Sequence, residues 1–209
     1  MFPPKENHRY ADALSARLAT PPSGCPSSIP ASLFAKNISR RGPGGGPLPA
    51  DNAGRAVCKL TTAVESFIET LDELKPLFAL HYDMLALDRD RVPLDPQYDV
   101  YGAHEAAGEL SFVTLRADGT LVGYWVSFVC PALHYRTCLT ATMDMWFIHP
   151  DYAGGTAPLR LIRAVETELR RRGVQRWFAG EKLHTPCGRL FEAVGMEEVE
   201  ATYTKWIGD

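Results

Sequence analysis

The stretch MDMWFIHPDYAGGTAPLRLIRAVETELRRRGV, residues 143–174, decides the fold of this chain. It begins with a run of apolar and aromatic residues that is typical of a strand. A loop containing Gly154 and Gly155 follows, and Pro158 suits the first turn of a helix that ends before Gly173. In that helix apolar residues recur at helical spacing, at Leu159, Ile162, Val165 and Leu169. The sequence therefore predicts a strand, a loop of small residues and a helix in succession.

Upstream, residues 70–85 predict an amphipathic helix. Thr70 and Glu73 have the spacing of a capping box at its start. Its apolar positions are Leu74, Leu77, Phe78 and Leu85. Pro76 has no N–H group, so we expect it to be tolerated only near the beginning of the helix.

Three antiparallel strands should lie between the two helices. Asp118-Gly119 is a strong hairpin signal, and the runs beside it, Leu110–Arg116 and Leu121–Cys130, are rich in strand-forming residues. A further run, Cys138–Ile148, is expected to pair with the second strand of the hairpin.

Downstream, three short elements complete the pattern. Arg176–Gly180 predicts a strand, Cys187–Val194 a helix closed by Gly195, and Glu197–Ile207 a last strand with alternating side chains. The chain is therefore predicted to be α/β, of the α+β kind, with a mixed and mostly antiparallel central sheet flanked by helices.

Residues 1–59 differ in composition from residues 60–209. They hold nine of the 16 prolines and six of the 17 glycines, and none of the four Trp. Eight Lys and Arg against three Asp and Glu make this segment +5, whereas 14 against 22 make the remainder −8. We expect a flexible Pro/Gly/Ser-rich tail over 1–59, with a targeting segment or an over-called translation start as alternatives, and one domain over 60–209. A domain of that length can bury a proper core.

The composition also excludes several classes of function. No apolar run reaches the roughly 18 residues of a membrane span, so no membrane partner is expected. A net charge of −3 gives no general reason to expect nucleic acid as a partner. Five Cys without a CxxC pair, and six His without ligand spacing, favour neither a disulfide framework nor a metal site. Without a secretory signal, the chain is expected to be cytoplasmic.

These elements and their residues resemble the GNAT superfamily of N-acetyltransferases. The likeness rests on residues 143–174, on WFAG followed by CGRLFEAVGM within 177–196, and on ATYTKWI at 201–207. The endings RRGVQRWF and YTKWIG are similar to those of uncharacterised acetyltransferase-like proteins of phages and prophages, which implies the cytoplasm of a bacterial host.

The resemblance implies an acyltransferase that moves an acetyl group from acetyl-CoA to a primary amine by direct attack, without an acyl-enzyme. The acceptor would be an amine-bearing small molecule, a protein lysine or a protein N-terminus, and a homodimer is an assembly that the resemblance allows. Several carboxylates within 81–109 indicate either a cationic acceptor or a solvated acidic loop.

By the same resemblance, the strand and loop within 143–158 would bind the cosubstrate. A helix N-terminus offers unpaired N–H groups and a positive dipole end to a pyrophosphate. Main-chain N–H groups near Phe147 and Ile148 would stabilise a developing oxyanion. The implied cofactor-binding residues are Phe147, Ile148, Ala153, Gly154, Gly155, Thr156, Ala157, Pro158 and Phe191.

The chain departs from the family pattern at four of these positions. The family's loop reads Arg or Gln, two free positions, Gly, one free position, then Gly or Ala, which falls here on Ala153, Thr156 and Pro158. Loss of the charge-assisted contact at Ala153 would weaken binding about ten- to hundredfold. Phe191 stands where many members have a Tyr that protonates the departing thiolate. A non-catalytic GNAT-fold binding or interaction protein is therefore the alternative function.

Four residues are candidates for proton transfer. Asp144, Glu181 and His184 are candidates for the general base, and Tyr203 would substitute for the missing Tyr. Each also has an ordinary structural explanation: a strand residue for Asp144, polar loop residues for Glu181 and His184, and a core aromatic for Tyr203. A nucleophile built on Cys187 and His184 is a further alternative, since a Cys at a helix N-terminus can have a lowered pKa.

Overall fold

The computed structural model describes residues 58–208, which form one five-stranded sheet with helices on both faces. The predicted tail over 1–59 lies outside the described residues except for its last two positions. The strands, in sheet order, are β1 (Leu60–Val64), β2 (Leu110–Ala117), β3 (Thr120–Ala132), β4 (Tyr135–Ile148) and β5 (Arg176–Phe178). The first four are antiparallel neighbours, and β5 pairs parallel to β4. The predicted mixed, mostly antiparallel sheet is confirmed.

Four α-helices cover this sheet: α1 (Leu71–Leu85), α2 (Tyr98–Ala106), α3 (Ala157–Arg171) and α4 (Gly188–Glu192). On one face, α3 and α4 pack against Trp125 and Trp146. On the other face, α1 and α2 pack against Phe112 and Tyr124. The alternation of side chains along β2, β3 and β4 therefore fills two cores at once. None of the described helices is long and apolar enough to cross a membrane.

The hairpin between β2 and β3 has the turn that its sequence predicts. Asp118 and Gly119 both have positive φ, at 48° and 89°, as a type I′ turn requires. The Asp118 carboxylate also accepts a hydrogen bond from the Lys59 N–H at 3.0 Å. The turn thereby fixes the start of β1 as well as the register of the hairpin.

The helix α1 begins where its sequence indicates, but the predicted capping box does not form. The Thr70 hydroxyl donates to the Ser66 carbonyl at 2.7 Å, and Glu73 binds the Arg116 guanidinium instead of turning back to the helix start. Pro76 lies at the sixth helical position and is exposed, deeper in the helix than predicted. The contact of Glu73 with Arg116 of β2 has replaced the capping box that the motif predicts.

Three elements differ from the sequence prediction. The edge strand β1 and the helix α2 were not predicted, because β1 has mostly exposed side chains and α2 buries none of its residues fully. Residues 197–208 contain no strand, and Tyr203 and Ile207 in this segment are exposed. Alternating side chains favour a strand only where a neighbour can pair with it, and β5 offers three residues.

Candidate active site

The strands β4 and β5 pair over a short length and then part. Only Thr140–Thr142 pair with β5, although β4 continues to Ile148. Residues 143–148 therefore run on without a β5 partner, and one edge of the β4 backbone is open there. An opening of this kind can accept an extended ligand alongside the strand.

The open length of β4 begins at a β-bulge. Val126 pairs with Met145 and Ser127 with Met143, so Asp144 has no partner of its own on β3. Met143 packs in the core beneath α3, whereas Asp144 and Met145 both contact residues of the other face. The bulge thus turns the Asp144 carboxylate towards α2, as bulges re-aim side chains at many functional sites.

The Asp144 carboxylate is bound to the side chain of Tyr101 on α2. The Tyr101 hydroxyl donates to Asp144 Oδ2 at 2.6 Å. Burial raises the pKa of Asp144, and this hydrogen bond opposes that effect. A carboxyl group whose pKa is moved towards neutrality is better suited to act as a general base than an ordinary exposed one.

The backbone of β4 offers an N–H group to the opening at Ile148. The His149 N–H donates to the Val122 carbonyl on β3 at 2.7 Å. Since successive N–H groups of a strand point to opposite sides, the Ile148 N–H faces away from β3. Phe147 is buried, with its ring stacked on His81 of α1 at 4.9 Å between centroids.

The loop after β4 begins with a 3₁₀ turn at Pro150–Tyr152 and leads into α3. Gly154 and Gly155 are exposed with open space around them, and Gly155 has a φ of 61°. Thr156 precedes α3 without capping it through its side chain, and Ala157 and Pro158 are buried. The loop therefore offers backbone N–H groups and room for a pyrophosphate, but Ala153 supplies no cation and Pro158 no donor.

The other sequence-predicted candidates do not meet Asp144. Among the described residues, no hydrogen bond or ion pair joins Asp144 to Glu181, His184 or Tyr203. His184 and Tyr203 are exposed. Phe191 is buried in the core beside Trp125 and Trp146, with ring centroids 6.3 Å from each. Asp144 therefore lies on the open length of β4 without a direct polar contact to Glu181, His184 or Tyr203, whereas Phe191 packs against Trp146 of the same length.

The loop after β5 has a structural use for Glu181. Its Oε2 accepts the N–H groups of Cys187 and Gly188 at the start of α4. Burial and the nearby Glu181 raise the pKa of the Cys187 thiol. The suggested Cys187–His184 nucleophile is therefore disfavoured, since a reactive cysteine needs a lowered pKa.

Sequence reasoning missed Tyr101, which completes the polar part of this site. Tyr98 and Tyr101 stand three residues apart, which places them on one face of a helix. That spacing was the available signal, but it lies in a segment predicted as an acidic loop. The described residues contain no group of three or more His, Cys, Asp or Glu that could hold a metal ion.

Comparison with known proteins bears on the whole of this region. The sequence profile of the acetyltransferase (GNAT) family matches residues 73–196. No curated protein matches the chain.

Several solved structures are similar in fold. A ribosomal-protein-alanine N-acetyltransferase from Brucella melitensis biovar Abortus 2308 is 19% identical, with a TM-score of 0.55, covering 72% of this chain and 100% of its own. An aminoglycoside acetyltransferase from an uncultured soil metagenomic sample is 14% identical, with a TM-score of 0.53, covering 71% and 96%. A predicted acetyltransferase with acetyl-CoA from Clostridium acetobutylicum is 7% identical, with a TM-score of 0.53, covering 71% and 97%. At these identities the likeness concerns the fold alone.

Proposed function

The chain belongs to the acetyltransferase (GNAT) family, and from this premise we propose that it transfers an acetyl group from acetyl-CoA to a primary amine. The observation that carries the proposal is the open length of β4, with Asp144 at its beginning and the N-terminus of α3 beyond its end. The amine attacks the thioester directly, so no acyl-enzyme is required.

Acetyl-CoA supplies an acyl group that is already activated as a thioester. Beside it, the Ile148 N–H would stabilise negative charge on the carbonyl oxygen. The exposed backbone at Gly154 and Gly155, together with the first turn of α3, would hold the pyrophosphate. Three of the other proposed residues are buried in the core: Phe147 and Ala157 would pack behind the site, and Phe191 would pack below it beneath α3.

Asp144 is our proposed general base. It lies on the open length of β4, it is partly buried, and this burial raises its pKa. The base must be deprotonated, so activity should rise as the pH rises through the pKa of Asp144. Glu181 and His184 remain weaker candidates for the base, because Glu181 already binds the start of α4 and His184 is exposed. Tyr203, the candidate proton donor to the departing thiolate, is exposed as well.

The acceptor is proposed to be an amine-bearing small molecule, or a lysine or N-terminus of a protein. The names of the structural neighbours include both kinds, an aminoglycoside acetyltransferase and a ribosomal-protein-alanine N-acetyltransferase. We further propose that the protein acts in the cytoplasm, in a bacterial host if it is encoded by a phage, and that a homodimer is its candidate assembly, to be checked by light scattering.

A second candidate function is a non-catalytic binding or interaction protein with the same fold. It is favoured by the missing cation at Ala153, the missing donor at Pro158, and the burial of Phe191 where a proton donor is expected. The two functions differ in whether acetyl-CoA binds and whether it is consumed.

Calorimetric titration with acetyl-CoA, followed by an assay of CoA release with a panel of amines, tests the proposal. A dissociation constant on the order of micromolar together with amine-dependent release supports the enzyme. Absence of binding at about millimolar CoA excludes it. Binding without release for any amine favours the binding protein.

The first prediction concerns the base. Asp144→Asn should lower kcat roughly 10²-fold or more and leave the dissociation constant of acetyl-CoA nearly unchanged, since an amide cannot accept the proton. The matched control is Asp83→Asn, an exposed position on α1, which should retain activity. Equal activity of both variants would contradict the assignment of Asp144.

A further inference from the structure

Two other aromatic rings stack on the ring of Tyr101. Phe67 stacks on it at 4.8 Å between centroids with an interplanar angle of 25°, and Phe128 lies at 5.9 Å and 16°. The Phe67 N–H in turn donates to Glu105 of α2 at 2.5 Å. A tyrosine fixed in this way has little freedom to rotate, so its hydroxyl occupies one position.

That position lies 2.6 Å from Asp144 Oδ2. Burial and the neighbouring carboxylate raise the pKa of Tyr101, so its hydroxyl keeps its proton and acts as the donor. Asp144 Oδ1 has no hydrogen-bond partner among the described residues. One carboxylate oxygen is therefore fixed by Tyr101, and the other is available.

We propose that Tyr101 is a positioning residue for acetyl transfer, because its hydroxyl orients the Asp144 carboxylate so that Oδ1 receives the proton of the attacking amine. This inference rests on the proposed function. In the reaction the nitrogen–carbon bond forms, the carbon–sulfur bond breaks, and the sulfur leaves with the electron pair. The proton lost by the amine is taken up by Asp144, and Tyr101 itself remains protonated throughout.

Other titratable groups lie near Tyr101 and Asp144. Their ionisation must be distinguished from that of Asp144 in any pH profile. Tyr98 lies on the same helix, and Tyr124 of β3 is hydrogen-bonded to His81 of α1 at 2.5 Å. Behind Phe128, His104 contacts Glu109 at 2.9 Å. Among the described residues, no charged side chain of β5 or α4 is hydrogen-bonded to Asp144.

The test is Tyr101→Phe, which keeps the ring and its stacking but removes the hydroxyl. Without that donor the Asp144 carboxylate is less stabilised, so its pKa rises and the acidic limb of kcat/KM moves to higher pH. On the acidic limb, where kcat/KM follows the ionised fraction of Asp144, we expect about a tenfold loss, within the range of a hydrogen bond to a charged group, and recovery as the pH is raised. Tyr98→Phe, the same change one turn earlier, should leave the profile in place.

A second measurement does not depend on activity. NMR follows the carboxyl carbon of Asp144 during a pH titration of the full chain, both in the wild type and in Tyr101→Phe. The signal is assigned by its loss in Asp144→Asn. A titration midpoint that rises in Tyr101→Phe, together with the shift in kcat/KM, supports the inference. An unchanged midpoint overturns it and leaves the proposed function standing. A raised midpoint with an unmoved activity profile overturns both the base assignment and the positioning role.

Discussion

At the scale of single residues, position 153 would decide how the proposed cosubstrate loop binds phosphate. Ala153 is partly buried and Pro158 is buried at the first turn of α3, so neither offers a charge or a donor. What remains is the backbone of Gly154 and Gly155 and the end of the helix dipole. Contacts of that kind bind an anion, but without the charge-assisted hydrogen bond that a cationic side chain would add.

The double change Ala153→Arg with Pro158→Gly should therefore tighten acetyl-CoA binding about tenfold or more, by adding a charge-assisted contact and a backbone donor. Calorimetric titration measures the dissociation constant of acetyl-CoA in each variant. Arg163→Ala, an exposed position later on α3, serves as a charge control and should change the affinity little. An affinity that stays constant in the double variant would mean that the loop is not the phosphate site.

At the scale of elements, β3 and β4 approach each other closely beside the open length of β4. A Cβ atom built on Gly123 would stand 2.9 Å from the Phe147 carbonyl oxygen and 3.1 Å from Ile148 Cγ1. A real side chain at this position must push β4 away. Glycine is needed here for the close approach of the two backbones, not for an unusual turn.

Gly123→Ala should therefore destabilise the protein by about 1–3 kcal/mol and also weaken acetyl-CoA binding, because the displaced Ile148 lines the opening. Denaturant unfolding and calorimetry measure the two effects. Gly180→Ala, where a Cβ would meet nothing within 4 Å, should leave stability nearly unchanged. Equal stability of the two variants would show that the strands can relax around the new methyl group.

A charged network joins β1, α1 and β2. Arg116 on β2 binds Glu65 with two hydrogen bonds of 2.8 Å and reaches Glu73 of α1 at 2.7 Å. The Arg116 guanidinium is the main cause that lowers the pKa of Glu65. A lowered carboxyl pKa stabilises the folded state at neutral pH, and this contribution is lost as the pH falls through that lowered pKa.

Arg116→Met should reduce the free energy of unfolding by about 1–2 kcal/mol at pH 7, since the network is partly buried. The difference from wild type should shrink in acid, as the carboxylates become protonated. Unfolding curves at several pH values give both results. Arg163→Met is the control, and a difference that does not depend on pH would assign the effect to packing of the arginine stem instead.

At the scale of the whole molecule, the sheet is continuous from β1 to β5 and ends there among the described residues. The segment 197–208 follows without regular structure, and Trp206 contacts Arg91 at 5.5 Å. This segment should exchange its amide hydrogens at the earliest times, because its N–H groups are not part of a ladder. β3 and β4 should stay protected. Protection of 197–207 equal to that of β4 would contradict this expectation and support the strand that the sequence predicts there.

The family resemblance and the fold class were available from the sequence because they depend on local patterns. Helical spacing in α3, the Asp118-Gly119 turn and the small-residue loop are each set by a few neighbouring residues, and each formed as predicted. The predicted fold is confirmed for the same reason. Contacts across the chain followed no such pattern: Glu73, which the capping box predicts to turn back to the helix start, binds Arg116 of β2 instead.

Only the tertiary structure decided which candidates form a site. The sequence alone offers Asp144, Glu181 and His184 as candidate bases and Tyr203 as a candidate proton donor, each beside an ordinary structural explanation. The bulge in β4 and the docking of α2 bring Asp144 to Tyr101 across a separation of 43 residues. A hydrogen bond of that range depends on the path of the chain and on which face each strand buries. Local sequence therefore determined most of the central elements, and their packing determined the chemistry that we propose for them.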